Sequence, residues 1–116
     1  MIIHLVLFRP RPDLAAAERA DLVDALESAL RRIPSIRRFH VGRRVTHGAG
    51  YEAIAPVALD YAAILEFDDL AGLQAYLRHP AHEPLGRRFM ASLESSAIFD
   101  YEMQDGEALR RLAQAE

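Results

Sequence analysis

Two polar side chains in the stretch Phe67 to Phe89, FDDLAGLQAYLRHPAHEPLGRRF, have the types and spacing for acid–base chemistry: Tyr76 and His82. A neutral imidazole accepts protons near neutral pH, because its unperturbed pKa is about 6.5. A phenol donates a hydrogen bond to a carbonyl, or to the enolate that develops from it. Asp68 or Asp69 is placed to cap a helix in which Leu70, Leu73, Tyr76 and Leu77 recur at helical spacing. Pro80 has no N–H and disfavours helical geometry at His79, which predicts a helix end near Arg78. The same proline is suited to open a second helix. There His82, Leu85, Phe89 and Leu93 lie three or four residues apart, so His82 aims with the apolar residues and not toward water. Spacing alone favours the plainer reading, in which both polar groups are core residues bonded to backbone.

Other chemistry is thinly supported. His4 lies on a strand that reads as buried, where a histidine is most often a satisfied core residue. His79 and His82 form an HxxH pair, but Pro80 separates them and no acidic third ligand stands near, so no metal site is expected. The arginine pairs at 31–32, 37–38 and 43–44 are the main basic cluster. Strand alternation splits the last two pairs between faces, which argues against nucleic acid. There is no GxSxG elbow and no glycine-rich phosphate loop.

The elements that position these residues follow from periodicity. Ile2 to Phe8 reads as a strand, with Ile3, Leu5 and Leu7 on one face and Ile2, His4, Val6 and Phe8 on the other. A helix is predicted from Leu14 to Ile33, with Asp13 as N-cap, a stripe of Leu22, Val23, Leu26, Leu30 and Ile33, and Pro34 as its end. Ile36 to Val45 reads as a second strand. Residues 46–57 read as a loop on the strength of Gly48, Gly50 and Pro56, yet Tyr51, Ile54 and Val57 make it unusually apolar. It is expected to pack on a partner subunit or to rim a pocket. Leu59 to Phe67 is a third strand with Tyr61, Ala63, Leu65 and Phe67 on one face. Ala97 to Met103 is a fourth. Residues 104–116 form a polar, helix-favouring tail to a domain of residues 1–103.

The order β-α-β-β-α-(α)-β suits an α+β, ferredoxin-like, four-stranded antiparallel sheet with helices on one face. Strands one and three are apolar on both faces, so a second copy is the simplest cover for the other side, giving a dimeric α/β barrel. Composition excludes much else. The 116 residues fit one domain, and 51% are hydrophobic, enough for a core without staples. With no cysteine and no lysine, thiolate and Schiff-base chemistry are absent. A net charge of -3 gives no general pull toward nucleic acid or anionic lipid. No apolar run approaches the length of a membrane span. The seven-residue apolar opening lacks a basic leader, so no signal peptide and a cytoplasmic location are expected.

The segments IIHLVLF, IPSIRRFHVGRRV, LEFDDLAGLQAYLRHPAH and IFDYE reach from Met1 to Glu102 and are similar to the stress-responsive dimeric α/β-barrel domain family. HPAH following a helix that ends in YL is fairly specific in that context. The resemblance implies a homodimer. It also implies cofactor-independent closure of a polyketide-like carbonyl chain by an aldol step, with His82 as the catalytic histidine, Tyr76 assisting it and His4 in the pocket. A third-strand pocket histidine of the family's cyclase chemistry meets Ala63 here. The expected pocket has His4, Val6 and Phe8 with Tyr61, Ala63 and Leu65 as floor, and Leu85 and Phe89 beside His82. It would take a small hydrophobic, polyketide-like or aromatic carbonyl ligand, with no cofactor. Two readings stand beside this one: a non-catalytic stress or assembly protein acting as an oligomer, and, by fold analogy, a cofactor-free monooxygenase.

Overall fold

A computed structural model describes residues 1–114. The elements run β1 (Ile2–Pro10), α1 (Ala16–Arg32), β2 (Arg38–Arg43), a 3-10 turn (Gly50–Ile54), β3 (Tyr61–Phe67), α2 (Leu70–Arg78), α3 (His82–Ser92), β4 (Leu93–Glu102), a second 3-10 turn (Gly106–Ala108) and α4 (Leu109–Gln114). The strands form one sheet in the order β2-β3-β1-β4, and every neighbouring pair is antiparallel. This is the ferredoxin-like arrangement, with β1 at the centre. The expected tail begins as a turn and the short helix α4; its residues 115–116 lie outside the described residues. No described helix is long and apolar enough to cross a membrane.

Helices cover one face of the sheet. Directly paired residues of antiparallel strands point to the same face. Ile2 and Val6 of β1 therefore share a face with Phe67 and Ala63 of β3. These residues pack with Ala29 and Ile33 of α1, Leu73 and Tyr76 of α2, and Leu85 of α3 in the core. Phe67 is fully buried; removing such a side chain from water contributes about 1.5–3 kcal/mol. The opposite face carries Ile3, Leu5 and Leu7 with their partners Ile64, Phe99 and Tyr101. Phe99 and Tyr101 are about half exposed, at 47% and 50%.

Several boundaries differ from expectation, each for a tertiary or capping reason. Asp13 does not cap α1. The cap position is Ala15, whose N–H donates to the Glu18 carboxylate at 3.1 Å, while Leu14 is buried and anchors the entry. The stripe of α1 is turned: Val23 is 50% exposed and Ala29 is the buried residue. β1 runs on to Pro10, with an irregularity between Arg9 and Pro10, and this draws Leu93, Ser95 and Ser96 into β4 four residues before Ala97. β2 is shorter than 36–45, because its partner β3 extends only from Tyr61 to Phe67. Single bonds flank the ladder, from Arg37 N–H to Glu66 O and from Arg44 N–H to Asp60 O.

α2 ends at Arg78 as Pro80 requires. Its start is capped by Asp69, which accepts from Gly72 N–H at 2.9 Å. Pro80 does not open α3 but lies in the turn before it, and the helix begins at His82. The 46–57 segment is braced internally. Glu52 accepts from the N–H groups of His47 and Gly48, and Gly48 takes a positive φ of 86° that only glycine adopts freely. Tyr51, Ile54 and Val57 remain 66%, 80% and 54% exposed.

Candidate active site

Between the sheet and the helices lies a cavity of about 290 Å³. Of the ten side chains expected to form a site, nine line it: His4, Val6 and Phe8 of β1, Ala63 and Leu65 of β3, Tyr76 of α2, and His82, Leu85 and Phe89 of α3. Tyr61 does not line it. It stacks on Phe8 with ring centroids 5.7 Å apart, and at the end of β3 it stays 42% exposed. The wall also includes Leu22 and Leu26 of α1, Val41 of β2, Leu77 of α2, Gly86 and Met90 of α3, and Ile98 of β4. Polar tips reach the cavity from His4, Tyr76 and His82; the remaining lining is apolar, the composition of a small-molecule pocket.

Tyr76 is the hub of these groups. Its ring meets His82 edge-on at 4.7 Å, His4 at 5.7 Å and Phe67 at 5.4 Å. The turn at Pro80 brings this about, because it folds α3 back so that the first residue of α3 faces Tyr76 in the second turn of α2. His79 belongs to that turn and not to the cavity. Its Nδ1 accepts from the Ala81 N–H at 3.0 Å, and its carbonyl accepts from the His82 N–H. Among the described residues, no group of three or more His, Cys, Asp or Glu side chains could hold a metal ion.

The two central groups are tuned in opposite directions. Burial pushes the Tyr76 phenol up to about 12, so it stays protonated and acts as a hydrogen-bond donor at neutral pH. Desolvation lowers the pKa of His82, and the charge of His4 lowers it further. His82 is therefore a neutral imidazole at pH 7, able to accept a proton. Among the described residues, the side-chain hydrogen bonds engage neither the phenol of Tyr76 nor the imidazole of His82, and both residues line the cavity.

Asp100 is the residue that sequence reading missed. Its carboxylate accepts from His4 Nδ1 at 2.6 Å, which fixes the protonated nitrogen and the orientation of the ring. Asp100 pairs directly with His4 across β1 and β4, so the strand order and register together would have pointed to it. A second, wide-open depression, about 440 Å³ at Met1, Arg37, Arg38, Glu66, Phe67 and Asp68, lies elsewhere. Within it Arg37 pairs with Asp68 at 2.7 Å, and Glu66 lies 3.5 Å from His40 beside it.

A family model described as the stress responsive A/B barrel domain matches residues 2–103. Olivetolic acid cyclase of Cannabis sativa is 25% identical over 101 residues, covering 84% of this chain and 92% of that protein. A dimeric protein of unknown function with a ferredoxin-like fold, from Bacteroides fragilis, is 28% identical with a TM-score of 0.60, covering 88% of this chain and 95% of its own. The hydroxynitrile lyase of Passiflora edulis has a TM-score of 0.72 at 13% identity, covering 90% of this chain and 94% of its own, a likeness of fold.

Proposed function

The chain belongs to the stress responsive A/B barrel domain family, and on that footing we propose that it binds a small hydrophobic carbonyl compound in this cavity and performs cofactor-independent acid–base chemistry on it. The observation that carries the reading is the pairing of a donor held protonated with an acceptor held neutral, on rings whose centroids lie 4.7 Å apart, on the wall of an otherwise apolar cavity.

The chemistry that fits is proton abstraction next to a carbonyl. His82 takes a proton from the carbon α to the carbonyl. Tyr76 donates to the carbonyl oxygen and stabilises the enolate as charge develops there. The enolate carbon then bonds to a second carbonyl of the same chain, and the proton held on His82 returns to the new alkoxide. His4, held by Asp100, packs on the same Tyr76 ring as His82 does and orients the polar end of the ligand. The name of the Cannabis relative, a cyclase, supports a ring closure of this type on a polyketide-like chain. The test is product formation from the linear poly-β-ketone precursor of olivetolic acid. His82→Ala should lower the rate by about a hundredfold or more and Tyr76→Phe by less. Equal rates for wild type and His82→Ala would reject the acid–base role.

The unit that performs this work is a homodimer in our reading. The sheet face opposite the helices carries Phe99 and Tyr101, about half exposed, beside Leu5 and Ile64, an apolar patch of the kind that marks an interaction surface. The Bacteroides relative is a dimer. A second copy packed on this face closes both sheets into a barrel.

A further inference from the structure

Gly86 lies one helical turn after His82, on the same face of α3, and lines the cavity. A glycine inside a helix is unfavourable relative to alanine, because its backbone has more freedom to lose. Its φ is not in the left-handed region, which Gly48 alone occupies among the described residues, so the backbone conformation does not call for glycine. Packing does not call for it either. A Cβ placed at Gly86 would stand 3.6 Å from Cε1 and 4.0 Å from Nδ1 of His82, ordinary contact distances, with no other side chain within 4 Å. The methyl group would therefore enter open cavity, directly against the edge of the imidazole.

Resting on the cavity's being a ligand site, we propose that Gly86 is a specificity-determining residue: the space it leaves beside the Cε1–Nδ1 edge of His82 is filled by ligand, and it sets how wide a flat ring can lie there. The cavity then selects ligands by ring width, and alanine at this position narrows the choice to smaller rings without altering His82 or the fold. The chemical class so selected is a planar aromatic or enolised carbonyl compound, broad on the side that faces α3.

The experiment compares wild type, Gly86→Ala and Gly86→Val by calorimetric titration with phenol and with 2-naphthol, and by thermal unfolding. Wild type should bind both. Gly86→Ala should hold phenol within about twofold of wild type and weaken 2-naphthol by about tenfold or more, and Gly86→Val should weaken 2-naphthol further. The melting temperature of Gly86→Ala should be unchanged or up by roughly 3–6 °C, from its better helix propensity. The proposal is overturned if Gly86→Ala binds 2-naphthol as well as wild type does, if it loses phenol and 2-naphthol alike, or if it melts lower. A wild type that binds neither ring overturns the ligand-cavity reading, and this inference with it; binding by wild type with no difference at Gly86→Ala overturns this inference alone.

Discussion

Replacing Tyr76 by phenylalanine removes one oxygen and keeps the ring. The ring is 4% exposed and packs on His82, His4 and Phe67, contacts that phenylalanine retains. The lost hydroxyl is desolvated, as its pKa of about 12 records. Among the described residues it has no side-chain partner in the hydrogen bonds of the fold. The hydroxyl opens on the cavity and is not among the buried polar atoms left without a partner, which among the described residues are Arg11 Nε and Ser35 Oγ, so its removal relieves no penalty of the roughly 1–3 kcal/mol that such an atom carries. Tyr76→Phe should therefore leave stability unchanged to within about 0.5 kcal/mol. The same oxygen is the proposed donor to the ligand, and a neutral hydrogen bond of about 0.5–1.5 kcal/mol predicts binding weaker by roughly 2- to 12-fold. Urea unfolding read beside calorimetric titration with olivetolic acid separates the two effects. A variant that loses more than about 1 kcal/mol of stability while binding as before would refute the reasoning, since the hydroxyl would then be a structural group. The variant should also lose the last step of the tyrosinate absorbance titration, near pH 12.

Three further outcomes follow from the same geometry. The imidazole proton signals of His82 should titrate below the unperturbed value of about 6.5, and His4→Gln should move the midpoint up but not fully back, because desolvation is the larger cause. With the folded pKa lowered, His82 contributes nothing to the pH dependence of stability well above pH 6.5; stability falls as pH drops through about 6.5, where the unfolded chain takes up the proton first. Phe67→Ala should cost about 3–5 kcal/mol in urea unfolding, because Phe67 is fully buried at the junction of β3 and α2. Leu5→Glu, on the sheet face opposite the helices, should convert a dimer to a monomer in light scattering; wild type that is monomeric at micromolar concentration contradicts the barrel.

The sequence made the site more legible than the boundaries of the elements. His82 and Tyr76 could be placed because helical spacing and the proline break are local rules, and α2 ends at Arg78 as those rules require. His4, Val6, Ala63 and Leu65 could be placed because strand alternation assigns faces without knowledge of the partner strand. What stayed hidden depends on contacts distant in the chain. Ser95 and Ser96 are poor strand formers and enter β4 because β1 supplies the hydrogen bonds. Asp100 reads as one acid within the apolar strand AIFDYEM until the register sets it opposite His4, 96 residues away. Tyr61 shares the alternation of Ala63 and Leu65, but its place at the first residue of β3 leaves it outside the cavity beside Phe8.

The five histidines provide the most direct test of the ligand cavity, because two lie on its wall and two are exposed on the surface. Imidazole resonances recorded while olivetolic acid is added should shift at His4 and His82, and should stay in place at His40 and His47. Unchanged signals at His4 and His82 with the probe at millimolar concentration, or shifts confined to His40 and His47, would contradict the account.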